Sequence, residues 1–207
     1  MSKISGLIIV LLMLLSFGAC SQQKETFDDY TAEIKNFQYQ LNREFADKKE
    51  SPLTAIDLKN FTTLPFFKID STYRISAEFT LEENPKIFAM PTTTDRLPLY
   101  KKYGTATFEL NGKRHSLSVY QNQELIQQPK YKNHLFIPFT DSTNGNETYG
   151  GGRYIDVEIP RGDTLIIDFN KAYNPYCAYN TDYSCPIPPA ENKLKIAVKA
   201  GVKAPKK

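Results

Sequence analysis

Thr105-Ala106-Thr107-Phe108-Glu109-Leu110-Asn111-Gly112-Lys113-Arg114-His115-Ser116-Leu117-Ser118-Val119-Tyr120-Gln121 is the stretch whose reading decides the fold. Ala106, Phe108 and Leu110 alternate with Thr105, Thr107 and Glu109, the period of a half-buried strand. Asn111-Gly112 then supplies the two positive-φ residues that a two-residue type I′ turn requires. That turn predicts the pairing: Leu110 opposite Lys113, Phe108 opposite His115, Ala106 opposite Leu117. Ala106, Phe108, Leu110, Leu117 and Val119 gather on one face, and Thr105, Thr107, Glu109, Arg114, Ser116 and Ser118 on the other. A slip of one residue would scatter both sets.

The same alternation runs outward. Tyr73, Ile75, Ala77 and Phe79 alternate with Arg74, Ser76, Glu78 and Thr80. Further strands are expected over residues 134–139, 153–159, 164–169 and 193–199. Upstream, Phe27, Tyr30, Ile34, Phe37 and Leu41 recur at three- and four-residue steps, which predicts a helix over 27–46. Thr26 is placed to cap it, and Asp28 and Asp29 sit where the helix dipole favours acids. Residues 51–67 are too apolar for a solvated linker and should lie against the core. With 13 Tyr, 13 Phe, 13 Pro and no Trp, the composition agrees with a mainly β chain. The expected architecture is an antiparallel β-sandwich or partly open barrel with an N-terminal α-helix.

The N-terminus addresses the compartment. Lys3 precedes an almost wholly apolar run from Ile4 to Leu15, too short to span a bilayer. Gly18-Ala19-Cys20 then places small residues before a cysteine, the pattern of a bacterial lipoprotein signal with Cys20 as the lipid attachment point. The organisation expected is a signal peptide over 1–19, a tether over 20–26, a helical segment over 27–50 and a single β-rich domain over 51–207. Lipid on Cys20 would hold the domain at a membrane without spanning it. Ser21 is not the Asp linked to inner-membrane retention, which favours the outer membrane of the cell envelope. Without Lys3, basic and acidic residues number 25 and 23, derived from 26 and 23 in the full chain, so nothing argues for a nucleic-acid partner.

One long loop stands apart: Asn174-Pro175-Tyr176-Cys177-Ala178-Tyr179, continuing through Cys185-Pro186-Ile187-Pro188-Pro189 to Glu191-Asn192. Its Tyr, Asn and Pro content suits neither helix nor strand, and rigid polar-aromatic loops are where sites sit. Together with Tyr103-Gly104, the segment Phe136-Ile137-Pro138-Phe139-Thr140-Asp141 and the run Tyr149-Gly150-Gly151-Gly152-Arg153-Tyr154, it resembles the bacterial family catalogued as domain of unknown function 1684, over about residues 50–203. The resemblance implies a compact domain with a shared polar site. It brings no established reaction.

Cys177 and Cys185 are separated by seven residues, which is neither zinc-ribbon nor Cys-x-x-Cys spacing. In an oxidising compartment the leading expectation is a disulfide, worth about 2.5 kcal/mol. Two buried free thiols, or a reactive cysteine, are the alternatives. His115 and His134 are isolated, so no metal site is expected, and no cofactor motif is present. Gly150-Gly151-Gly152 lets backbone approach a ligand, and Arg153 can grip a carboxylate or phosphate. The candidate ligand-binding set is therefore Asp141, Tyr149, Arg153, Tyr173, Asn174, Glu191 and Asn192. It would hold a small polar or anionic ligand, or an envelope partner. Two rival roles are a hydrolase using Asp141, Glu191 and Arg153, and a purely structural plug.

Overall fold

A computed structural model describes residues 27–205. The signal, Cys20 and the Thr26 cap lie outside them. Seven strands form one antiparallel sheet: β1 (Arg74–Leu81), β2 (Ile87–Ala89), β3 (Leu99–Leu110), β4 (Lys113–Asn122), β5 (His134–Phe139), β6 (Arg153–Glu158) and β7 (Thr164–Asp168). The order across it is β6-β5-β4-β3-β1-β7, with the short β2 beside β3. The sheet curls into a half-barrel, the partly open form of the expected architecture.

The β3–β4 hairpin has the register its turn dictates, with Leu110, Phe108 and Ala106 facing Lys113, His115 and Leu117. Asn111 and Gly112 take φ of 54° and 68°. The apolar face of this hairpin lines the barrel interior with Ile75, Ala77, Phe79, Leu135, Ile137, Phe139, Ile155, Leu165, Ile167 and Phe169. Two-sided burial distinguishes β4, β5 and β6. Their opposite face carries Tyr120, Phe136 and Tyr154, which form a second cluster with Met90 and Tyr100.

Residues 193–199 are not a strand. Leu194, Val198 and Ala200 do insert into the barrel core, so the alternation reports burial correctly. However, the segment attaches through single bonds: Leu194 N–H to Thr140 O (2.8 Å) and Ser142 N–H to Ile196 O (2.9 Å). It crosses the mouth of the barrel beside residues 140–142, where the pairing is confined to one isolated parallel bridge, Thr140 with Lys193, and no regular ladder forms.

The N-terminal helix α1 (Phe27–Ala46) packs as its periodicity requires, burying Tyr30, Ile34 and Phe45. The Tyr30 hydroxyl donates to Asp168 at 3.0–3.1 Å, at the end of β7. Lys171 bonds Glu33, and the Asn42 side chain accepts from Leu64 N–H at 2.8 Å. The apolar connector does lie against the core, with Leu64 buried beside Phe45 and Val202. It also contains a short helix, α2 (Ala55–Asn60), capped by Thr54. No helix of the described residues is long and apolar enough to cross a membrane.

Candidate functional site

Asp141 and Arg153 meet, but inside the protein. Both side chains are fully buried, and Arg153 donates to Asp141 Oδ2 at 2.8 Å. Arg153 also donates to the carbonyls of Val198 (2.8 Å), Ala200 and Val202 (3.5 Å). Asp141 Oδ1 accepts from Thr143 N–H (2.8 Å), Thr143 hydroxyl (2.6 Å) and Val198 N–H (3.2 Å). Burial pushes the guanidinium down from its ordinary pKa, and Asp141 opposes that shift. This pair ties the C-terminal segment across the barrel mouth and offers no face to a ligand.

Asn192 is likewise fully buried. Its side chain accepts from Ser118 N–H (2.7 Å) and donates to Ser118 O and Pro138 O (both 2.8 Å). β4 and β5 pair only at Tyr120 opposite Phe136, so the carboxamide substitutes for missing ladder bonds where the sheet splits. It also explains how Pro138, which has no N–H to give, is accommodated in a central strand. Asn174, also buried, donates to Lys203 O (2.8 Å) and to the Tyr179 hydroxyl (3.0 Å). Glu191 is exposed and accepts from the Tyr120 hydroxyl at 2.7 Å, so it joins neither Asp141 nor Arg153.

Tyr173 points elsewhere. Its hydroxyl donates to Asp156 Oδ2 at 2.8 Å, while His134 Nε2 meets Asp156 Oδ1 at 2.9 Å. These residues stand on one wall of a cleft of about 320 Å³ on the outer face of β5 and β6. Tyr100, Phe136 and Tyr154 belong to the buried aromatic cluster beneath it. Tyr131 and Leu125 stand on one side, and Pro175, Tyr176, Tyr183, Ser184, Cys185 and Pro186 come from the long loop. Arg96 also lines it and is anchored by one bond from its guanidinium to Ser184 O (3.1 Å).

The aromatic rings are held at fixed angles. Phe136 meets Tyr154 edge-on at 4.8 Å, Tyr154 meets Tyr173 at 5.8 Å and Tyr176 meets Tyr183 at 5.2 Å. The hydroxyls are anchored too: Tyr154 to Pro186 O and Tyr176 to Glu44 of α1. Burial, foremost, pushes the pKa values of Tyr100, Tyr154, Tyr173 and Tyr176 upward, so these groups stay neutral at physiological pH. Neutral, immobilised rings present flat contact area at small entropic cost.

Cys177 and Cys185 are free thiols rather than the expected disulfide. Cys177 N–H donates to Cys185 Sγ at 3.2 Å. The Tyr149 hydroxyl reaches Cys177 Sγ at 3.9 Å. The hydrogen bond from Cys185, chiefly, lowers the Cys177 pKa to about 6, and the same bond raises that of Cys185.

Of the candidate ligand-binding residues named from the sequence, Tyr173 alone lines the cleft, which Cys185 of the thiol pair also borders. Arg96, Tyr131, His134, Tyr154 and Asp156 were missed. A signal for them did exist. Leu135-Phe136-Ile137-Pro138-Phe139 is apolar on both faces, and a strand buried on both faces needs a second cover.

The structure thus defines a curled antiparallel half-barrel, closed at its mouth by a C-terminal strap and carrying an aromatic cleft on its outer face. Residues 59–203 match the family described as "Protein of unknown function (DUF1684)", and the chain belongs to that family. Among solved structures, it is similar to an uncharacterised protein of Haloarcula marismortui determined by solution NMR. The two share 33% identity and a TM-score of 0.66, over 85% of this chain and 95% of that one. No curated protein matches.

Proposed function

We propose that this protein is a binding module, anchored in the cell envelope through lipid on Cys20 and facing the outer membrane's surroundings. Its site is the tyrosine-lined cleft. The ligand is a small molecule with a flat or ring-shaped body and an anionic substituent. The body would stack on Tyr131, Tyr173, Tyr176 and Tyr183, and the anion would meet Arg96.

The observation that carries this reading is the convergence of Tyr100, Tyr131, Tyr154, Tyr173, Tyr176 and Tyr183 on one cleft with Arg96 among them. The volume, about 320 Å³, lies within the range of small-ligand sites. Asp156 is the one carboxylate lining the cleft, and both of its oxygens are engaged, by His134 and by Tyr173. A carboxylate pair for hydrolysis is therefore not assembled there, and binding is the better reading.

A thermal-shift screen of glycans, aromatic carboxylates and short acidic peptides tests it. A ligand at about 100 times its Kd adds about 2.7 kcal/mol of stability. That shift should disappear in Tyr173→Ala and in Arg96→Ala. Ligands that stabilise both variants as well as wild type would sink the assignment. For the anchor, Cys20→Ser should move the protein from the membrane fraction to the soluble fraction, and unchanged fractionation would refute it.

A further inference from the structure

The thiol pair lies beside the cleft, and binding does not account for it. Cys185 is buried and fixed: its carbonyl accepts from Thr93 N–H (2.9 Å) and its N–H donates to the Thr93 hydroxyl (3.1 Å). Cys177 is partly exposed, in a single helical turn over Tyr176–Ala178. The Cys185 sulfur is thus held 3.2 Å from the Cys177 backbone nitrogen, with one cysteine partly exposed and the other buried. The Tyr149 hydroxyl stands 3.9 Å from the Cys177 sulfur, where donating to it would favour the thiolate.

We propose that Cys177 and Cys185 form a redox-active dithiol that reduces hydroperoxides, with Cys177 as the attacking sulfur, Cys185 as the resolving sulfur and Tyr149 as the proton donor beside them.

The Cys177 thiolate attacks the terminal oxygen of the hydroperoxide. An S–O bond forms, the O–O bond breaks, and the departing alkoxide or hydroxide takes a proton from the Tyr149 hydroxyl, which solvent restores. Cys177 is now a sulfenic acid. Cys185 then loses its proton and attacks that sulfur, forming the S–S bond as hydroxide leaves and is protonated to water. In total, two thiols are oxidised by two electrons, and the hydroperoxide becomes an alcohol, or water, plus water. A small oxidant suits the geometry, because Cys177 is open to solvent without itself lining the cleft. The bond would also clamp residues 177–185, whose Tyr183, Ser184 and Cys185 form one wall of the cleft. That second effect rests on the binding reading; the oxidation chemistry stands without it.

The test uses the full chain in a Cys20→Ser background, reduced and then treated with hydrogen peroxide. Peptide mass spectrometry should find Cys177 linked to Cys185, reversible by dithiothreitol. In Cys185→Ser, dimedone should trap a sulfenic acid on Cys177. In Cys177→Ser, Cys185 should stay unmodified at the same dose. Tyr149→Phe keeps both thiols and should raise the pH midpoint of Cys177 alkylation above about 6 while slowing oxidation. Circular dichroism is the check that each variant is folded. The proposal is overturned if both thiols survive excess peroxide, if Cys185 is the residue trapped, or if Tyr149→Phe leaves rate and midpoint unchanged.

Discussion

Replacing Asp141 by Asn probes the buried pair at the barrel mouth. The substitution keeps the shape and removes the charge. Arg153 then remains with 0% side-chain exposure and no counter-charge. At 2.8 Å and an effective dielectric of about 20, the lost attraction is about 6 kcal/mol before desolvation is set against it. Removing one partner of a buried pair costs about 3–5 kcal/mol, and that is the expected destabilisation. For a domain of this size it corresponds to a Tm lower by about 6–20 °C. The chain has no Trp, so urea unfolding should be followed by circular dichroism or tyrosine fluorescence. Arg153→Met, and its combination with Asp141→Leu, complete the comparison. The double variant should lose at least about 2 kcal/mol less than the singles together, because neither charge is left stranded. A loss below about 1 kcal/mol for Asp141→Asn would refute the claim that this pair fastens the C-terminal strap.

Three further outcomes are expected. Asn192→Ala should cost about 3 kcal/mol in urea unfolding, since it strands buried groups of Ser118 and Pro138; Asn192→Asp should cost more, as its charge would face both carbonyls. Gly152→Ala should cost at least about 2 kcal/mol, because φ is +95° and a Cβ would lie 2.6 Å from Phe139 O; a neutral result would show that the turn can relax. Cys177 has a folded pKa lowered to about 6, so its contribution is present above the unfolded thiol range and fades as pH falls through 6; the reduced protein's Tm should climb between pH 6 and 8.5, and Cys177→Ser should flatten that climb.

Local signals were strong wherever one chemical feature decided one local structure. Asn111-Gly112 specified the hairpin turn, and the strict alternation around it specified which face is buried. The helix was legible for the same reason, since Tyr30 and Ile34 sit one turn apart on its packed face. Residues 193–199 show where that logic ends. Leu194, Ile196 and Val198 alternate like a strand, but period-two burial also describes an extended strap held by side chains. What fastens the strap is Arg153, 45 positions earlier in the chain than Val198, and no local window contains that contact. The aromatic cleft was illegible for a related reason. Its lining comes from β3, β5, β6, the 96 and 125–131 segments and the long loop, so the site exists only after the sheet has curled. Polar residues that looked available, such as Arg153, Asn174 and Asn192, are engaged by backbone carbonyls.

The outer-face cleft, and not the buried Arg153–Asp141 pair, is the proposed ligand site. NMR of the labelled protein, titrated with a library of small aromatic and cyclic anions, tests it directly. Saturable shifts are expected, confined to Arg96, Tyr131, Tyr154, Tyr173 and the 175–186 loop. Shifts centred instead on Asp141, Arg153 and the strap at Val198–Val202, or no saturable shift at the cleft from any compound, would contradict it.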